Sequence, residues 1–560
     1  VSAPAPALRR AFELLAAGEA DAAAEALSQL LARDPAFAEA HHLLAFVQLN
    51  RGRVGEAEAS FREALRLKPT LFMAARQLGD LLAGSGRPAE AVEAYRTSMA
   101  VKEPDAPLLS NLGFALLALG RNDEARAVLE QAVARDARLA AAHGNLGLAF
   151  HASGEIDAAV RCYEQALQLD PEYSEACANL ALALWRLGRR EEAREYARRA
   201  QSARPLGAEA WKNLGHLQRE FGDFDAACQC FRRAIAADPG HVMSHYGLAA
   251  ELLSHGAWVE GWREYSWRAT KLGRSWARDE DGLPRALPES LSGREIVLVG
   301  EQGPGDILFF LRFAPELARR GARLHFHGEP RLAAMLGRTG CFGRLAGHDA
   351  PVPPGALAIP VADLPYLLGA YAEGVRPPPF ALAADPERVV AARQRLASLG
   401  PRPWIALTWR AGKRPAGEWR TRYFKWIDPD VLGKALRGLE ATFVCVQRAP
   451  EAEELRALGA ALGAASVDLG ELNTDLEEML ALLAALDAYA GVSNTNMHLA
   501  AGLGRPAHVL VPHPPEWRWM RSGDESPWFP GFRLHREDPD RGWEEPLARL
   551  RAELGALRGD

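Results

Sequence analysis

Glu301-Gln302-Gly303-Pro304-Gly305-Asp306 follows an apolar run at 296–299 and precedes a helical pattern at 307–319. That order predicts a strand, a glycine-bearing turn and a helix, the unit on which an open α/β sheet places its ligand. The reason is electrostatic, because a helix N-terminus offers unpaired amides and the positive end of its dipole to whatever lies beyond the strand ends. The chain N-terminal to this turn is patterned differently.

At 560 residues the chain is too long for one core, so two or three domains are expected. A hydrophobic content of 48% and a charged content of 25% are ordinary for a globular protein. A net charge of -6, from 66 basic and 72 acidic side chains, leaves no electrostatic footprint for nucleic acid. Cys162, Cys177, Cys228, Cys230, Cys341 and Cys445 include no CxxC spacing, which argues against both disulfides and a cysteine zinc site. Residues 1–8 carry neither a charged n-region nor an apolar h-region, and no window reaches eighteen uninterrupted apolar residues. A cytoplasmic location is the expectation, from a chain that need not begin at its native start.

Gly18, Gly52, Gly86, Gly120, Gly154, Gly188, Gly222 and Gly256 recur every 34 residues. This is the period of the tetratricopeptide repeat (TPR), a helix hairpin that stacks into a superhelix. Each glycine is placed to end a first helix in the left-handed conformation. Five positions on, Ala23, Ala57, Ala91, Ala125, Ala159, Ala193 and Ala227, with Gly261 in the last copy, let the two helices touch. Pro35, Pro69, Pro171, Pro205 and Pro239 close second helices, with Pro104 one residue late and Ala137 an exception.

A second ladder lies inside the first. Asn111, Asn145, Asn179 and Asn213 share the period on the first helices of repeats four to seven, and it is broken at Leu43, Gln77 and Gly247. Two readings stand: hydrogen bonds between neighbouring repeats, or carboxamides that hold an extended peptide backbone along the concave wall. The pattern resembles the asparagine ladder of TPR-containing O-linked N-acetylglucosamine transferases, which implies the second. The last repeat carries Trp258, Trp262 and Trp267, a composition suited to a packed junction.

From Arg294 onward strands and helices alternate. Strands are predicted near 295–299, 323–327, 356–360, 404–409, 442–447, 488–492 and 507–511, with a helix at 544–557. The domains expected are 1–271, about eight repeats; 272–293, a linker; 294–385, a first Rossmann-like domain; and 386–560, a nucleotide-binding domain with a C-terminal helix. The fold class is thus an α-solenoid followed by two Rossmann-like domains, the GT-B plan of nucleotide-sugar transferases.

The segments VGEQGPGDILFFLRFAPELARRGARLHFH and LEEMLALLAALDAYAGVSNTNMHLAAGLGRP resemble the two signature regions of ADP-heptose-type glycosyltransferases, as found fused to TPR arrays in bacterial proteins. The resemblance covers most of 294–534. It implies that Asp306 is the general base, with Gly303 and Gly305 opening the turn to substrate; by chemistry alone Asp306 also reads as a first-turn acid on the helix dipole. It implies a phosphate cradle at Ser493, Asn494, Thr495 and Asn496, with His498 as a catalytic residue. Ser493 stands where the family has Asp, so an ADP-heptose donor is not expected.

Arg410, Lys413, Arg420 and Arg422 are cations suited to a leaving phosphate, or to a solvated loop. The Asp428-Pro429-Asp430 and Asp538-Pro539-Asp540 triplets read as caps rather than metal ligands, so no metal is expected. The aromatic run at 512–519 and 526–530 reads either as a stacking platform for a base or sugar or as interdomain packing.

These features lead to an expected cytoplasmic, metal-independent protein O-glycosyltransferase, with no cofactor besides its nucleotide-sugar co-substrate. The build is similar to bacterial flagellin glycosyltransferases, which implies a CMP-activated nonulosonic acid such as pseudaminic acid as donor and flagellin as acceptor. The alternatives are a TPR binding scaffold with a degenerate GT-B domain, or a transferase acting on a glycan or lipid.

Overall fold

The structure is a computed structural model that describes residues 4–202, 206–268, 283–369, 376–412, 425–463 and 466–557. Sixteen α-helices run in consecutive pairs from Pro4–Ala16 to Trp258–Ser266, as the repeat requires. All eight ladder glycines have φ between +71° and +84°. After each, the next amide donates back across the turn, as in Arg121 N–H to the Leu116 carbonyl at 3.0 Å, which satisfies a helix-end acceptor. The small residues of the period, Ala23 through Ala227, are fully buried where paired helices meet.

Where a glycine stands two residues beyond the ladder position, after Gln77, Asn111, Asn145 and Asn213, it has its own steric reason. A Cβ at Gly79, Gly113, Gly147 or Gly215 would lie 2.4–2.8 Å from Tyr95, Leu129, Tyr163 or Phe231, the large side chain on the second helix of the same repeat.

The chain divides into two compact units, Val1–Asn213 and Leu214–Asp560. In the first, Phe61, Tyr95, Leu112, Leu116, Leu129 and Leu146 belong to one continuous core. The division falls earlier than the boundary expected at 271 because the last repeats share a core with the α/β region. Within the second unit, Trp262 meets Trp517 edge-on at 5.2 Å and Trp258 meets Trp528 at 5.1 Å. Tyr265, Phe309 and Phe310 complete this aromatic junction, while Trp267 stacks on His245 at 4.2 Å. Most of the expected linker lies outside the described residues; Leu283 and Leu291, at its described end, are buried.

Two parallel sheets follow. Strands β1 (Glu295–Val299), β2 (Arg323–Gly328), β3 (Arg344–Gly347) and β4 (Leu357–Pro360) form a sheet of order β3-β2-β1-β4. Strands β5 (Trp404–Thr408), β6 (Thr442–Cys445), β7 (Val467–Asp468), β8 (Ala488–Val492), β9 (His508–Val511) and β10 (Arg533–Arg536) form the other, of order β10-β9-β8-β5-β6-β7. Strands β5, β6 and β8 are buried along their whole length, as central parallel strands require. The strand order reverses between β1 and β4 and between β5 and β8, and ligands of open α/β sheets lie beyond the carboxyl ends at such reversals. The loops after β1, β5 and β8 are the turns singled out from sequence.

All six cysteines are free thiols. Among the described residues no helix is long and apolar enough to cross a membrane.

Candidate functional site

The helix Pro304–Leu311 begins at Gly303, with proline at its first position, where a missing N–H costs nothing. Asp306 stands in its first turn, favoured there by the helix dipole. Its side chain accepts a hydrogen bond from the Arg518 guanidinium at 2.5 Å. Arg518 is enclosed in the short turn Trp517–Trp519 beyond β9, over the rings of Trp517 (4.5 Å) and Phe309 (4.7 Å). It also donates to Glu516, which pairs with Lys425 Nζ at 2.5 Å and accepts from Ser493 Oγ at 3.1 Å. Lys425 Nζ in turn donates to Ser493 Oγ at 3.4 Å. A charged chain, Asp306–Arg518–Glu516–Lys425–Ser493, therefore joins the turn after β1 to the turn after β8.

Burial works to raise the Glu516 carboxyl, but Lys425 and Arg518 outweigh it and hold the group far below the usual carboxylate range. Burial opposes the charge on Arg518 too, and Glu516 and Asp306 overcome it, raising its pKa. Asp306, with 37% of its side chain exposed, is the most exposed member of the network, followed by Lys425 at 29%. Lys425, Glu516 and Arg518 were missed in sequence. The last two sat inside a stretch read for its tryptophans.

Several expected site residues have structural duties instead. Gly305 is the contact point of two helices, since a Cβ there would lie 2.8 Å from His498 and 3.3 Å from the Thr495 Cα. Around Gly303 there is open space. His498 is buried edge-on to Phe529 (5.4 Å) and Phe309 (6.2 Å). Burial, then the Arg518 charge, lower its pKa well below the ordinary histidine range, which favours the neutral ring in this packed position.

The amide of Asn496, expected to hold a phosphate, donates to the Asn494 side chain at 2.9 Å. Asn494 is itself fixed by Tyr489 Oη (2.9 Å) and by Thr408 Oγ1 (3.0 Å). The Asn496 carboxamide is buried against Val446 and Asn473. This leaves the half-buried Thr495 at the turn's accessible edge, with Ser493 buried beneath it.

Arg410 is 1% exposed and bidentate to Glu454 at 2.8 and 2.9 Å, with Ala449 and Gly412 carbonyls taking further protons. A guanidinium so committed locks the loop after β5 and has no donors left to face a phosphate. Lys413, Arg420 and Arg422 lie outside the described residues.

Trp517, Trp519, Trp528 and Phe529 are all buried, which decides for packing over a stacking platform. Asp428 accepts from the Asp430 amide, and Asp538 from the amides of Asp540 and Arg541, so both acidic triplets serve as caps.

Along the asparagine ladder the amides bond between repeats. Asn111 donates to Asp80 (2.9 Å), Asn145 to Ser110 Oγ (3.0 Å) and Asn213 to Asn179 (3.3 Å). A cavity of about 450 Å³ lies away from Asp306, beside Arg219, Glu251, Arg521, Arg536 and Arg549. Arg219 is paired with Glu251 at 3.1 Å, and Arg536 donates to the carbonyls of Trp519, Met520, Ser522 and Gly523.

Tetratricopeptide repeat families match residues 14–75, 82–146, 178–242 and 212–260, and a TPR repeat family matches 147–188. The N-terminal part is therefore a TPR solenoid, an architecture of protein-interaction scaffolds. The chain is similar to Protein FlbA of Caulobacter vibrioides, 26% identical over 339 residues, which cover 56% of this chain and 55% of that protein. The chain thus spans about half the length of the curated relative it matches.

Among solved structures, a tetratricopeptide repeat protein from Parabacteroides merdae is 15% identical with a TM-score of 0.39, over 43% of this chain and 96% of that one. Pseudomonas aeruginosa pilF is 24% identical with a TM-score of 0.30, over 38% and 96%.

Proposed function

We propose that this chain is a glycosyltransferase of the GT-B plan, in which the TPR solenoid holds a polypeptide acceptor and the two parallel sheets carry the transfer. The single observation that supports this reading is the charged chain Asp306–Arg518–Glu516–Lys425–Ser493, which links the turns at the reversal points of the two sheets. In the proposed step Asp306 takes the proton of an acceptor Ser or Thr hydroxyl. The oxygen attacks the anomeric carbon, and the nucleotide phosphate leaves with the bonding electron pair. Lys425, 29% exposed, takes over the phosphate-stabilising role expected of Arg410, without a metal, while Arg518 holds Asp306 in place. Following the resemblance, the favoured donor is a CMP-activated nonulosonic acid and the favoured acceptor flagellin.

The test is thermal unfolding of the full chain with CMP, CDP, UDP, GDP and ADP in turn. A nucleotide at ~100 times its dissociation constant adds about 2.7 kcal/mol to stability. A shift with cytidine nucleotides, together with transfer lost in Asp306→Asn while the shift is kept, is the expected result.

A second reading, a TPR scaffold whose α/β region no longer turns over, is favoured by two engaged groups: the guanidinium of Arg410 and the amide of Asn496. No shift with any nucleotide, and unchanged glycosylation in Asp306→Asn cells, would select it. Partner capture lost in the Asn145→Ala, Asn179→Ala double variant fits either reading and tests the acceptor-holding role of the ladder.

A further inference from the structure

Strands β9 and β10 run parallel, with His508 opposite Arg533 and Leu510 opposite His535, so the two imidazoles fall on one face of the sheet. The helix Glu544–Gly555 buries Leu547, Leu550 and Leu554, and brings Glu553 to the same two rings. His508 Nδ1 lies 3.2 Å from His535 Nε2 and 3.1 Å from Glu553 Oε2, and the third side of the triangle is 3.6 Å.

We propose that His508, His535 and Glu553 bind a divalent transition metal of the zinc class, clamping the C-terminal helix to the edge of the six-stranded sheet. Zinc held at ~2.0–2.1 Å by nitrogen and oxygen in a tetrahedron sets its ligand atoms about 3.3–3.4 Å apart. The observed triangle brackets that spacing, so the three atoms can take the ion with little rearrangement.

Hydrogen bonding alone accounts for the triangle less well. His508 Nδ1 either donates or accepts, so it cannot serve both His535 Nε2 and the Glu553 carboxylate fully, and the remaining side is too long for a bond. Two imidazole nitrogens with one carboxylate oxygen suit zinc, cobalt or nickel rather than magnesium or calcium, which take oxygen ligands. His535 is 1% exposed and forms a fixed inner wall, while Glu553 is at the surface, leaving an outer edge for water as a fourth ligand. The site is independent of the Asp306 network and of the transferase reading.

The experiment uses the full chain, stripped with chelator and then given Zn²⁺ or Co²⁺ alone. About one equivalent retained through gel filtration, a tetrahedral Co²⁺ visible spectrum and a raised thermal midpoint are expected. Glu553→Gln and His508→Asn, both outside the fully buried core, should keep the far-UV circular dichroism of the parent and weaken Zn²⁺ binding by at least about tenfold. Failure of the parent to retain metal overturns the proposal. So does unchanged affinity in the two folded variants, which would assign any bound metal to other histidines or cysteines.

Discussion

Replacing Arg518 with methionine keeps most of the side chain's contact with Phe309 and Trp517 while removing the cation between Asp306 and Glu516. Breaking a buried ion pair from one side costs about 3–5 kcal/mol, because the remaining charge stays buried without its partner. Two features move this case to the lower end. Asp306 has 37% of its side chain exposed, so that half of the network is screened and contributes at most about 1 kcal/mol. Glu516, 15% exposed, keeps Lys425 at 2.5 Å.

The expected loss is therefore about 3 kcal/mol. Urea unfolding followed by tryptophan emission measures it directly, since Trp258, Trp262, Trp517, Trp519 and Trp528 are all buried in the same unit. Adding Glu516→Gln removes the stranded carboxylate, and the double variant should recover about 1–2 kcal/mol of the loss. A loss below about 1 kcal/mol for Arg518→Met would refute the reasoning, since the network would then behave as an ordinary surface pair.

Glu516 also gives stability a pH dependence. Its folded-state pKa is depressed, so its contribution is fully present above the unfolded value of about 4.3 and is lost as pH falls below it. Glu516→Gln should flatten the acid limb of the stability profile by as much as about 1.4 kcal/mol per pH unit, measured by urea unfolding from neutral to acid pH; a profile parallel to the parent's would exclude the effect. In the solenoid, Gly147→Ala forces a Cβ to within 2.5 Å of Tyr163 and should cost about 1–3 kcal/mol by differential scanning calorimetry. The control Gly55→Ala, in a helix with nothing within 4 Å, should be neutral or stabilising by up to about 1 kcal/mol; equal effects of the two would remove the steric explanation.

How much of this was readable from the chain depended on how local each constraint is. The solenoid was readable in full, because its turn needs a left-handed residue and its helix contact a small one, and both recur at a fixed spacing. The central strands were readable too, since burial on both faces demands a continuous apolar run. The edge strands β3, β7 and β10 were not, because they are short or alternate polar with apolar residues and carry no such run. Acidic caps at Asp428 and Asp538 also followed from neighbours two or three residues away.

What each charged or aromatic side chain meets was decided only by the tertiary structure. Arg410 has the same chemistry whether it faces a phosphate or Glu454, and only the packing of the helix Ala452–Leu462 brings the carboxylate to it. Lys425, Glu516 and Arg518 come from separate loops, as do His508, His535 and Glu553 from two strands and a helix. The tryptophans at 517 and 528 were equally compatible with a ligand platform and a core until the last repeat closed over them. Sequence determines backbone conformation where the deciding atoms are a few residues apart; the partners of long polar and aromatic side chains are set by contacts between distant segments, which no local pattern encodes.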